Sequence, residues 1–175
     1  TAAATLMQRG RTFTVAEVAR EVGLSRSAVY EYYSSAAELI ADVLVDELTQ
    51  WSQELAAATT ADQTPMEQVH AWIHGVLDYV VDGRHALLRA AGTIDLPPAR
   101  RAELQILHQA LIAPLLDALR AAGRTDADRA SRYVWGIVEV AISRIEAESA
   151  DPATEADALI AFVDGALSAS APGSM

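Results

Sequence analysis

The chain contains no cysteine. Disulfides and thiolate metal sites are therefore excluded. Lysine is absent too, and all 13 basic residues are arginine. With so much alanine, that bias reads most simply as a GC-rich coding sequence. Long apolar runs are missing: no stretch of about 18 residues is free of charge, so no transmembrane helix is expected. No charged start followed by an apolar segment marks a secretory leader. A soluble cytoplasmic protein is the expectation. Histidine is scarce at 4 residues. No Ser-His-Asp set, nucleophile elbow, phosphate loop or paired-carboxylate site is visible, so neither an enzyme nor a cofactor is expected.

What is present is apolar and helical. The 175 residues are 51% hydrophobic, enough to bury a sizeable core. Net charge is −11, which argues at first against nucleic acid. Its distribution changes the argument. Residues 1–35 carry four arginines and three glutamates, a net of +1, which leaves −12 for the remainder. The acid would keep other faces away from phosphates.

The apolar period is helical nearly throughout, and no alternating strand pattern survives inspection. Gly10 ends a short first helix. Thr14 can cap a second over 15–22, which stops at Gly23. Ser25 caps a third, reaching about Tyr32. Ser35 caps a long fourth over about 36–58, with Glu38 completing a capping box. Residues 59–65 form a polar turn that reads as a domain junction, with Pro65 at the next helix start. Further helices are expected over about 65–82, 84–91, 99–122, 126–149 and 154–168. The fold class is all-α with about nine helices. Residues 1–45 form one domain and 46–170 a larger helical one, and 171–175 a flexible tail.

The informative segment is residues 14–33, Thr-Val-Ala-Glu-Val-Ala-Arg-Glu-Val-Gly-Leu-Ser-Arg-Ser-Ala-Val-Tyr-Glu-Tyr-Tyr. Ala19 is small where two helices must cross closely. Gly23, four residues on, suits a turn that needs positive φ. Leu24 and Val29 face inward, opposite Val15, Val18 and Val22. This is the packing rule of a helix-turn-helix. An ordinary helical hairpin explains a lone glycine, but not so many coincident positions. The second helix then exposes Arg26, Ser27 and Tyr30 and directs its N-terminal N–H groups outward, as a recognition helix in the major groove must. Arginine bonds guanine O6 and N7 together. Hydroxyls and a helix N-terminus suit phosphates.

Over residues 3–48 the sequence resembles the tetracycline-repressor (TetR) family. The resemblance is carried by Ala-Ala-Thr-Leu-Met-Gln-Arg-Gly, by Phe-Thr-Val-Ala-Glu-Val-Ala-Arg-Glu-Val-Gly-Leu-Ser-Arg-Ser-Ala-Val-Tyr-Glu-Tyr-Tyr, and by a following Glu-Leu. It implies a three-helix DNA-binding domain followed by a helical ligand-binding and dimerisation domain. By position, Thr14, Ser25, Tyr32 and the N-terminus of the fourth helix would contact phosphate. Arg26, Ser27 and Tyr30 would approach base edges of a double-stranded, palindromic operator. Three departures stand out. Ala36 occupies a place where the family usually has lysine, the link from Gly10 to Val15 is one residue short, and Thr1 falls inside the family's first helix.

Beyond residue 60 the pattern is less specific. The helix over 126–149 carries Tyr133, Ile137, Val140 and Arg144; the last carries Leu159, Phe162 and Val163. Each has an apolar stripe. The resemblance implies a homodimer seam there; the plain alternative is that both stripes close one subunit's core. Pocket candidates for a small-molecule effector are Trp72, Val76, Tyr79, Leu107, His108 and Leu111, with Trp135 and Glu139. Most apolar members of such a set belong to cores. Glu139, a carboxylate on an otherwise apolar face, must find a partner if buried. His70 and His74 have a metal-binding spacing, but no third ligand is evident and no metal is expected. The function expected is a ligand-released, DNA-binding repressor with no membrane partner. The competing reading is a helical dimerising module whose DNA affinity has weakened, which Ala36 favours.

Overall fold

The computed structural model describes residues 25, 27, 31–33, 35–91 and 94–169. The first two expected helices and most of the third lie outside the described residues, as does the tail 171–175. The described residues contain six helices and no strand. They are α1 (Ala36–Ala58), α2 (Pro65–Val81), α3 (His85–Ala91), α4 (Pro98–Ala121), α5 (Ala127–Glu146) and α6 (Pro152–Ala169). No helix among the described residues is long and apolar enough to cross a membrane.

Local chemistry sets the helix ends. Ser35 Oγ accepts from the Glu38 N–H at 3.2 Å, as a cap at the expected position does. The Glu38 carboxylate faces Arg100 at 3.5 Å. A complete reciprocal box stands at α2 instead. The Glu67 N–H donates to Thr64 Oγ1 at 3.3 Å and the Thr64 N–H to Glu67 Oε2 at 2.7 Å. At α6, Asp151 Oδ2 accepts from both the N–H and the hydroxyl of Thr154, at 3.0 and 2.8 Å, and Pro152 fills the first helical position.

Helix α4 stops at Gly123, whose φ of 78° permits the closing bonds from Gly123 N–H to Arg120 and from Arg124 N–H to Leu119. The same closure ends α5 three residues before the expected Ser149, with Glu148 in the left-handed position at φ 52°. Its N–H bonds Ile145 and that of Ser149 bonds Arg144. No glycine announces this stop, so the periodicity overran it. A left-handed non-glycine residue costs roughly 1–2 kcal/mol.

Two compact units form. One comprises residues 1–52 and 82–109, the other 53–81 and 110–175. The turn at 59–65 lies wholly inside the second unit. Helix α1 runs unbroken past residue 45. Its Leu39, Ile40, Val43 and Leu44 cluster with Leu96, and Tyr33, Leu88, Ile94 and Leu104 pack against them. Apolar residues after 82 therefore complete the first core.

In the second unit α2, α5 and α6 pack pairwise. Buried Val69, Ile73 and Val76 of α2, Val134 and Val138 of α5, and Leu159 and Val163 of α6 supply apolar burial worth about 1.5–3 kcal/mol per larger side chain. The end of α1 approaches α2 so closely that a Cβ on Gly75 would stand 2.8 Å from Leu55 Cδ2.

The helix caps make stability pH-dependent. Hydrogen bonds from the Thr64 side chain and backbone hold the Glu67 carboxyl below its ordinary range. The Thr154 N–H and hydroxyl do the same for Asp151. A carboxyl whose folded pKa is depressed stabilises the fold above its unfolded pKa, about 4. That contribution is lost as pH falls through the lower folded value. Denaturant melts of Glu67→Gln and Asp151→Asn should show lost stability at neutral pH that shrinks towards the wild-type value on acidification. A deficit that stays constant from neutral to acid pH would contradict this account.

Candidate functional site

Little of the segment expected to read DNA is described. Ser27 is helical, and the Glu31 N–H bonds its carbonyl at 3.1 Å, one α-helical turn. Ser25 and Ser27 are exposed, with their hydroxyls 3.0 Å apart. Tyr32 is 80% exposed, whereas Tyr33 turns inward onto the first core. Two neighbouring tyrosines thus part ways: one presents a phenol to solvent and the other anchors the segment. Thr14, Arg26 and Tyr30 lie outside the described residues.

Behind this segment, α1 is fastened by arginines. Arg100, at the start of α4, meets Glu38 and Asp42 of α1 and Glu103 of its own helix, the last at 2.7 Å. Arg84 Nε donates to Glu47 Oε1 of α1 at 2.7 Å. Sequence reading missed both. A lone arginine at a helix start carries no signal until three carboxylates are seen around it.

The expected pocket residues divide between the units. Leu107 is half-buried and His108 exposed in the first. Trp72, Val76, Tyr79 and Leu111 are buried in the second, each at 2% exposure or less. The Trp72 indole donates to the Leu111 carbonyl at 2.8 Å and lies 6.0 Å from the Trp135 ring, tilted by 59°. Glu139 is exposed and accepts from the Trp135 Nε1, one turn before it, at 2.9 Å.

The expected seam also divides. Tyr133, Val140 and Phe162 are large apolar groups left 58–65% exposed. Gly136 and Gly165 lie beside them with open space at their Cβ positions. Ile137 is half-buried, and Arg144 is exposed and pairs with Glu155 at 3.0 Å. Leu159 and Val163, at 5% and 1%, instead close the protein's own core against α2 and α5. His70, one of the two histidines at metal-binding spacing, meets Asp164 at 2.7 Å. Among the described residues no group of three or more His, Cys, Asp or Glu could hold a metal.

One cleft was not anticipated. It opens between α5 and α6 with a volume of about 330 Å³. Val134, Ile137, Val163 and Leu167 form its apolar side; Arg124, Asp126 and Arg129 stand at its polar end. Arg124 donates to both Asp126 oxygens, at 2.9 and 3.0 Å, and to the Leu167 carbonyl at 2.9 Å. With Arg129 it holds the Asp126 carboxyl below its ordinary range.

Residues 1–43 match the sequence model of the bacterial regulatory proteins of the tetR family. The likeness to that family in sequence is carried by this segment, about a quarter of the chain. Solved structures of similar fold cover nearly all of the chain. A putative regulator from a Rhodococcus species is 18% identical with a TM-score of 0.76, covering 95% of this chain and 94% of its own. PfmR from Thermus thermophilus is 20% identical with a TM-score of 0.70, covering 98% and 94%. FadR from Bacillus subtilis, solved in complex with stearoyl-CoA, is 12% identical with a TM-score of 0.75, covering 93% and 94%. At such identities the likeness speaks for the fold. No curated protein matches the chain in sequence.

The arginine clamp is testable. Arg100 is 21% exposed, and its removal leaves three carboxylates facing one another. Arg100→Met should cost about 1–2 kcal/mol, between the values for exposed and buried ion pairs. Equal urea midpoints for the variant and the wild type would show that the clamp contributes nothing.

Proposed function

We propose that this chain is a transcriptional regulator of the TetR family, a repressor that binds a palindromic DNA operator as a homodimer and is released by a small molecule. The observation that carries the DNA part is the family match over residues 1–43, with Ser25, Ser27 and Tyr32 exposed within it. Arg26, Ser27 and Tyr30 read base edges; Thr14, Ser25 and Tyr32 hold phosphates. A helix-turn-helix alone buries too little DNA surface for tight specific binding, so two copies act together.

The seam of that dimer is the apolar stripe of Tyr133, Val140 and Phe162, with Ile137 beside it. Arg144 sits at the rim. The small residues Gly136 and Gly165 let two helix pairs approach closely. The effector is assigned to the helical body around Trp72 and Trp135. That a protein of similar fold, FadR from Bacillus subtilis, is solved with stearoyl-CoA supports a ligand-binding role for such a body. The two states must differ in ligand affinity, and the coupling to DNA must be reciprocal.

The reading as a dimerising module without DNA affinity draws on Ala36 and on the net charge of −11. Selection from a randomised duplex pool, followed by fluorescence anisotropy across a salt series, separates the two. Binding should weaken steeply as salt rises, because phosphate contacts release counterions. Arg26→Ala should lose about 1–3 kcal/mol and relax specificity at one base pair. Tyr32→Phe should weaken all sequences about equally. Failure to select any duplex, or affinity indifferent to salt, favours the module.

The assembly has its own test. Val140 and Phe162 are already exposed in the single chain, so arginine at either place should not disturb the fold. Val140→Arg and Phe162→Arg should retain the wild-type circular dichroism, sediment as monomers and lose operator binding. A wild-type protein that is monomeric at micromolar concentration would overturn the dimer.

A further inference from the structure

We propose that Asp82 and Gly83, in the turn between α2 and α3, form a site of spontaneous covalent modification, where the backbone rearranges through a succinimide to an isoaspartyl linkage. The chemistry needs a carboxyl one residue before an amide nitrogen that no side chain shields. Asparagine, the faster substrate of the same ring closure, is absent from the chain. Asp-Gly occurs twice, at 82–83 and at 164–165. The two places differ in backbone and in what holds the carboxylate.

Asp82 follows Val81, the last residue of α2, and both Asp82 and Gly83 are exposed. Gly83 has φ 74°, so the turn itself demands glycine, and the space where a Cβ would stand is open. Among the described residues no hydrogen bond or ion pair engages the Asp82 side chain. Its carboxyl is at liberty to swing onto the next nitrogen. Asp164 is the internal contrast. It lies within α6, where the Gly165 N–H serves the helix ladder. Its carboxylate stands 2.7 Å from His70 Nε2 of α2. Ring closure there needs the main chain to leave helical geometry and that contact to break.

In the reaction the Gly83 nitrogen attacks Cγ of the protonated Asp82 carboxyl. One N–C bond forms, and the amide proton and the carboxyl hydroxyl leave as water. Hydrolysis of the ring returns that water. Breaking the bond from nitrogen to Cγ restores aspartate. Breaking the bond from nitrogen to the main-chain carbonyl carbon leaves the chain running through Cβ and Cγ. No oxidant or further reactant takes part, and mass and carboxylate count are unchanged. The product carries an extra main-chain methylene at Asp82, the first residue after the sequence passes from the second unit to the first. It also bears a free α-carboxylate, the group that isoaspartate methyltransferases esterify with S-adenosylmethionine.

The experiment incubates the full chain for several weeks at neutral pH, native and in parallel in concentrated urea. Isoaspartate in its peptides is then assayed by enzymatic methylation and located by electron-transfer fragmentation. In the native protein Asp82 should convert about tenfold or more faster than Asp164, because α6 must first open locally. In urea the two should react at similar rates, since both are then unstructured Asp-Gly pairs. Asp82→Glu should remove the signal at that place, where the larger ring closes far more slowly, and leave Asp164 unchanged. Equal native rates at the two places overturn the proposal, as does a native Asp82 that stays unmodified while it reacts in urea. Neither DNA nor a second subunit takes part, so the outcome is independent of the function proposed above.

Discussion

The indole N–H of Trp72 is the constraint around which the second unit is arranged. A tryptophan with no solvent exposure must find an acceptor inside the protein or bear a desolvation cost of about 1–3 kcal/mol. A helix carbonyl has two lone pairs, so it can accept a second bond beside its ladder bond. The Leu111 carbonyl of α4 receives the Trp72 indole in this way at 2.8 Å. Pro114, three residues on, has no N–H to return to the Ala110 carbonyl next to it. The indole bond ties α4 to α2, and the Trp135 ring stands 6.0 Å from that of Trp72.

The first unit depends on a different force. Its core is modest, built from the leading half of α1 with a few side chains from residues 88–104. Arg100 and Arg84 bind α1 to segments distant in sequence. Partly buried guanidiniums suit this role, since a planar fork can serve several carboxylates while its stem covers apolar surface. The result is that the start of α1, next to the exposed Tyr32, is fixed by charge as much as by packing. Helices α1 and α4 each contribute a segment to both units, so each is covalently bound to both chemistries at once.

Much of this was legible in the sequence. The helix over 36–58 has the expected bounds, and the others begin or end within a few residues of expectation, because Ser35, Pro65, Gly123 and Pro152 act locally. What was not legible arises from partners distant along the chain. Arg100 acquires meaning only when Asp42 is beside it. Leu159 and Phe162 lie on one helix with similar apolarity, yet one is core and the other exposed, since only the position of α2 and α5 decides which stripe is covered. Glu148 stops α5 in a conformation normally reserved for glycine, which no residue preference announces. The α5–α6 cleft stayed hidden because its arginines stand at a turn and its apolar side is made from two helices.

Charge distribution joins these levels. Residues outside the first 35 carry −12, and most of that acid is spread over exposed helix faces. Such a surface repels phosphate and anionic lipid alike, with a reach of about 8–10 Å at ordinary ionic strength. An anion approaching this protein is therefore steered away from nearly every face. The same reasoning applies to the N-terminal segment. Its surplus is only +1, yet against −12 elsewhere it is the region where a nucleic acid meets the least repulsion.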